Sequence, residues 1–134
     1  MSSLRTTLAG YVGYRGREGH WGFLLHRITG LGVVLFLAIH IVDTALVYFN
    51  PALYMEAIRI YQSTLFGIAE VFLVFCIIYH GINGLRVAFF DLIAPSAWAI
   101  YRQRVSVRWT LILTLILWIP ASIRMLSNLI EHNF

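Results

Sequence analysis

Three long apolar stretches, separated by polar and basic segments, dominate the chain. The first covers about 28–49, between His26-Arg27 and Asn50-Pro51. The second covers about 66–90 and gives way to Asp91 and the turn Ala94-Pro95-Ser96. The third, about 109–127, follows a basic, aromatic stretch with Trp98, Tyr101, Arg102, Arg104 and Arg108. Each has roughly the 20 residues that a helix needs to cross ~30 Å of hydrocarbon. The pattern predicts an all-α membrane protein with three transmembrane helices. Pro120 in the third is tolerable where neighbouring helices satisfy the freed carbonyl. Between the first two, Tyr54, Ile58 and Tyr61 fall at helical spacing and predict a short interfacial helix within 51–65. Residues 1–21, with Arg5, Tyr11, Tyr14, Arg15 and Arg17, show too little apolar periodicity to predict a helix. They read as an arm on the membrane surface or on a partner. One membrane-anchor domain results: an arm at 1–27, the three-helix anchor at 28–127 and a tail at 128–134.

Composition strengthens this. Of 134 residues, 60% are hydrophobic and only 12% charged, against about 25% charged in ordinary globular proteins. A soluble fold this small has too little interior to hide so much apolar surface. The ten basic residues are all arginine and give a net charge of +4. Their placement argues against nucleic acid and for a membrane. Arg5, Arg15, Arg17 and Arg27 precede the first helix, and Arg86, Arg102, Arg104 and Arg108 lie between the second and third. Arg59 and Arg124 alone fall on the other side. The positive-inside rule then predicts a cytoplasmic N-terminus and an outside C-terminus in the cell's inner (cytoplasmic) membrane. No cleavable secretory signal is expected, because the first apolar run is of full membrane length. The single Cys76 makes no internal disulfide and reads as a small apolar filler.

Candidate chemistry sits inside the apolar runs. His80 lies in the second, where an imidazole is costly and usually functional. Gly84 follows one turn later on the same face, and Arg86 and Asp91 bring the chain back to water. A ring nitrogen in lipid, a bare surface beside it and a cation at the edge suit haem b. Iron would take His80, the porphyrin would pass Gly84 and the propionates would meet Arg86. The first helix holds a second imidazole, His40, with Asp43 three residues on as a carboxylate able to orient it. At 1.5 Å per residue, His40 lies ~20 Å from the Arg27 edge and His80 ~9 Å from the Arg86 edge, a difference of ~11 Å. Axial nitrogens of one haem lie about 4 Å apart across the iron, so the pair does not share one. Each needs a partner ring from another polypeptide, which implies up to two haems per complex, each shared between subunits. Against this stands the plainer reading that a membrane histidine bonds a neighbouring carbonyl. His26 and Arg27 sit where propionates or a quinone carbonyl would arrive, or where side chains snorkel to the interface.

These residues resemble the cytochrome b membrane-anchor subunit of succinate:quinone oxidoreductase (succinate dehydrogenase, complex II) and its fumarate reductase relatives. His26-Arg27-Ile28-Thr29-Gly30 is similar to the family's His-Arg-x-Ser/Thr-Gly at the start of helix one. His80-x-x-x-Gly84-x-Arg86-x-x-x-x-Asp91 is similar to its haem-ligand signature in helix two. The resemblance covers nearly the whole chain. It implies His80 as an axial ligand of haem b, and Arg27 and His26 near the propionates and the quinone. It implies a flavoprotein, an iron–sulfur protein and a second anchor as partners, with electrons passing from succinate to membrane quinone. The chain would serve that enzyme as a subunit, without oxidising succinate alone. Gly30 and Gly84 would line the cofactor, Asp43 and Asp91 would support the ligands, and Arg27, Trp21 and Phe23 would meet quinone. Phe23 stands where many one-haem members carry a quinone-contacting serine, which implies a different quinone pocket. His40 resembles the two-haem branch. The rival readings are a haemless structural anchor of the same complex, and a proton-linked transporter subunit in which His40, Asp43 and His80 relay protons.

Overall fold

The computed structural model describes residues 5–7, 10 and 18–133, without the side chains of 132 and 133. Tyr11, Tyr14, Arg15 and Arg17 of the expected arm lie outside the described residues, and so does the end of the tail at Phe134.

Helix α1 spans Glu18–Phe49, α2 Pro51–Tyr61, α3 Thr64–Ala88 and α4 Ile100–Asn133. A π-turn at Phe89–Ile93 extends α3, and a 3-10 turn at Pro95–Ala97 leads to α4. Three segments are long and apolar enough to cross a membrane: Glu18–Phe49, Thr64–Ile93 and Ile100–Glu131. Their number matches expectation, but two begin earlier. Helix α1 starts at Glu18 rather than near 28, and α4 at Ile100 rather than near 109. Tertiary contacts extend both, overriding weak local periodicity. Glu18 forms a two-point ion pair with Arg108 of α4, one arm being Arg108 Nε to Oε2 at 2.9 Å. The Tyr79 hydroxyl of α3 donates to the Gly22 carbonyl at 3.2 Å. Gln103 and Ser106, in the early part of α4, accept from Arg86 at 3.0 and 3.1 Å.

The short helix expected in 51–65 is α2. Asn50 caps it, its side chain accepting from Leu53 N at 3.2 Å, and Pro51 takes a first-turn position where no N–H is needed. On the described surface the Tyr61 hydroxyl, in the last turn of α2, donates to Asp43 of α1 and ties the two helices together.

Helix α3 is central, packing on both α1 and α4. The polarity of the bundle is inverted relative to a soluble fold. Apolar residues such as Leu31, Leu85 and Ile116 face outward, while Thr29, Asn83, Thr110, Thr114 and Ser122 are buried. Lipid supplies no hydrophobic drive between helices, so small residues and interhelical hydrogen bonds take that role. Several buried hydroxyls turn back on their own helix, as Thr114 does to the Thr110 carbonyl at 2.8 Å. Across helices, Trp118 Nε1 donates to the Val71 carbonyl at 2.9 Å. Gly22 allows α1 and α4 to meet, since a Cβ there would lie 3.0 Å from Val107.

Candidate cofactor site

At the end of the bundle that carries Arg86 and Arg108, α1 and α3 bring two imidazoles together. His26 and His80 stack face to face, centroids 4.1 Å apart and planes within 2°. His80 Nδ1 lies 3.1 Å from the His26 backbone carbonyl. A carbonyl only accepts, so Nδ1 carries the proton. That fixes the tautomer: Nε2 keeps its lone pair, the form that binds a metal. One nitrogen thus bonds a neighbouring carbonyl while the other stays uncommitted.

Gly30 forms the wall behind the ring. A Cβ on it would lie 2.7 Å from His80 Cε1 and 3.1 Å from Nδ1. Gly30, expected to line the cofactor, makes room for the imidazole itself. A Cβ on Gly84 would find only His26 Cε1, at 3.8 Å, so the surface beside it is open. Nδ1 of His26 is buried without a partner, as are Oδ1 of Asn83 and Nε of Arg86. Among the described residues no three His, Cys, Asp or Glu side chains gather as ligands for a bare ion. A macrocycle that brings four equatorial nitrogens asks only for axial rings, which is what His80 offers.

The stack also corrects the depth estimate. The sequence sets His26 at the edge and His80 ~9 Å inside, yet the rings touch, because α1 already runs from Glu18. His80 is level with Gly30, ten residues before His40, so the two imidazoles are ~15 Å apart along the axis rather than ~11 Å. Face-to-face rings cannot flank an iron, so His26 is not the second axial ligand of His80 in this arrangement. That requirement still points to another chain.

The remaining candidates are spread out. His40 is exposed on the outside of the bundle, its ring against Phe36 at 5.3 Å. Asp43, expected to orient it, accepts instead from Tyr61, which sits on the far side of the α1–α2 junction. Arg27 is exposed and lies over the Phe23 ring, 5.1 Å from its centroid, forming one outward patch. Trp21, 67% exposed, lies on a different side of α1 by helical spacing, its ring against His20. The guanidinium of Arg86, expected near the propionates, reaches α4 through Gln103 and Ser106. Asp91 is exposed on the π-turn, eleven residues or ~16 Å past His80, too far to touch the ring.

A model of the succinate dehydrogenase/fumarate reductase transmembrane subunit family matches residues 12–121. The chain belongs to that family. It is similar to the succinate dehydrogenase 2 membrane subunit SdhC of Mycobacterium tuberculosis, at 29% identity over 120 residues, covering 89% of this chain and 85% of the relative. As a succinate dehydrogenase/fumarate reductase transmembrane subunit, it works within an enzyme complex alongside that complex's other subunits.

Within this membrane subunit, sequence reasoning missed Tyr79 and Asn83. Both are 1% exposed, on the α3 face that meets its neighbours. Asn83 carried a legible signal, a lone amide in an apolar run three residues from His80. Tyr79 carried none, since a tyrosine beside the interface reads equally as an anchor. Gln103 and Ser106 looked like loop residues because α4 was expected to begin after them.

Proposed function

We propose that this subunit is a haem b-binding anchor, passing electrons from the iron–sulfur subunit of succinate:quinone oxidoreductase to membrane quinone. The tautomer of His80 carries the reading: Nδ1 is tied to the His26 carbonyl and Nε2 is left with a lone pair. His80 would hold the haem nearer the basic end, and His40 a second haem on the opposite half. A second membrane anchor supplies the opposing imidazoles. Bound haem supplies a one-electron iron couple.

The protein's own residues do the rest. Gly30 sets the position of the His80 ring, and the His26 carbonyl sets its rotation. Arg27 offers a guanidinium, and His26 a ring nitrogen, to anionic propionates. Arg86, held by α4, adds positive field at that end without direct contact. Phe23 and Arg27 present an aromatic ring beside a guanidinium, suited to a quinone ring and its carbonyl oxygen, with Trp21 exposed on another side of α1. The basic end faces the cytoplasm by the positive-inside rule, with the flavoprotein and iron–sulfur subunits docked there, in the cell's inner membrane.

The test is succinate-driven reduction in membranes holding the whole complex. Succinate is expected to bring up the absorbance bands of reduced b-type haem, and added quinone to bleach them. Absence of any succinate-reducible haem band in an active complex would overturn the reading and leave a haemless anchor.

A further inference from the structure

On the side of α3 opposite His80, a cleft of about 750 Å³ opens between α3 and α4 at the basic end. Helical spacing separates the two sites: Leu85 and Phe89 in the cleft lie on the reverse face from His80 and Gly84. The walls are apolar and aromatic, with Phe89, Phe90 and Trp109 among them and Leu113 at depth. Two arginines line it, Arg86 and Arg102, and no carboxylate does. Arg86 is held in place by Gln103 and Ser106 while its Nε has no partner. Arg102 is exposed. The π-turn at Phe89–Ile93 widens α3 along this wall, a distortion frequent at functional sites.

We infer that this cleft binds one anionic phospholipid, its phosphate between Arg86 and Arg102 and an acyl chain along the groove toward Leu113. Three observations fix the occupant. The charge is complementary, two cations without a counter-ion among the described residues. From Arg102 to Leu113 the groove runs eleven residues, or ~16 Å, about half of the ~30 Å hydrocarbon thickness and so one leaflet deep. The cations stand at the end of the bundle where headgroups lie, and basic pockets between membrane helices on that side suit anionic headgroups. A quinone carbonyl can accept from one guanidinium but carries no charge to neutralise two. The site is separate from the histidine pair, so it stands or falls independently of haem.

The experiment uses the whole purified complex, stripped with detergent and reloaded from mixed micelles containing phosphatidylglycerol, read by native mass spectrometry. A bound phosphatidylglycerol is expected, neither replaced by excess phosphatidylcholine nor displaced by inorganic phosphate. Arg102→Gln is expected to weaken retention about fivefold. Leu113→Trp, which fills the groove, is expected to abolish it, while Arg59→Gln in the other loop leaves it unchanged. Should Leu113→Trp prevent assembly, Arg102→Gln decides alone. Unchanged retention in Arg102→Gln overturns the proposal. So does displacement by inorganic phosphate, or a photo-crosslink from position 109 that reports another subunit in the cleft and no lipid.

Discussion

The two membrane histidines live in opposite circumstances. His80 is clamped on three sides by its own chain: the His26 ring on one face, the His26 carbonyl at Nδ1 and Gly30 behind it. His40 faces outward with a single aromatic neighbour, Phe36. The first imidazole is pre-organised before any partner arrives, its tautomer already selected. Among the described residues no hydrogen bond to the His40 ring selects its tautomer. A ligand fixed by the fold binds without ordering cost, whereas one fixed by a partner couples cofactor binding to subunit association. The surroundings of the His80 ring are thus built by this chain alone.

That contrast can be broken most sharply at Gly30. Gly30→Val puts branched carbon where only hydrogen fits, against a ring wedged by the helix backbone. It is expected to push His80 off its carbonyl and to remove most of the haem that His80 holds, measured as haem per assembled complex. Overpacking of this kind also costs about 1–3 kcal/mol in stability. A G30V complex with full haem would show that the wall is not what sets the ligand.

His40→Ala makes the complementary test. It is expected to lower haem from two to one per complex while leaving the His80-linked absorbance band in place. Equal loss of both, or no loss, would break the assignment of separate ligands at separate depths.

Smaller effects belong to the patch and to the outer junction. Arg27→Gln is expected to raise the KM for quinone about tenfold with kcat little changed, the mark of lost uniform binding. Retained KM would remove Arg27 from the quinone patch. Tyr61→Phe removes the hydroxyl that reaches Asp43, and is expected to lower thermal stability by about 1 kcal/mol or less. The hydrogen bond to Asp43 holds the Tyr61 hydroxyl above its ordinary pKa. A raised tyrosine contributes stability below its unfolded pKa and loses it as pH rises through the folded one. The α1–α2 tie should thus persist at neutral pH and weaken only above about pH 10. An ultraviolet titration comparing wild type with Y61F checks the sign: a wild-type tyrosine ionising at or below its ordinary value would contradict it.

Much of this was legible in the residues, for identifiable reasons. Apolar run length gave three spans, because hydrocarbon thickness leaves a helix little choice. The turn from His80 to Gly84 gave an imidazole beside open surface, because helical spacing is local. What the residues did not show was the rotation and contact between helices. Asp43 shares a face with His40 by count, yet α2 turns its carboxylate toward Tyr61. Arg86 sits at the expected edge but points to α4, since Gln103 and Ser106 are already helical there. Gly30 reads as a bare surface for the cofactor, and only the packed fold shows that it accommodates an imidazole.

The central claim is that Nε2 of His80 grips iron. It is tested most directly by pyridine haemochrome quantitation on purified complexes matched for assembly, wild type beside His80→Ala. The account predicts that the variant lacks the haem nearer the basic end, with its share of the reduced-minus-oxidised difference spectrum gone. A His80→Ala complex with undiminished haem and an unaltered spectrum would contradict it.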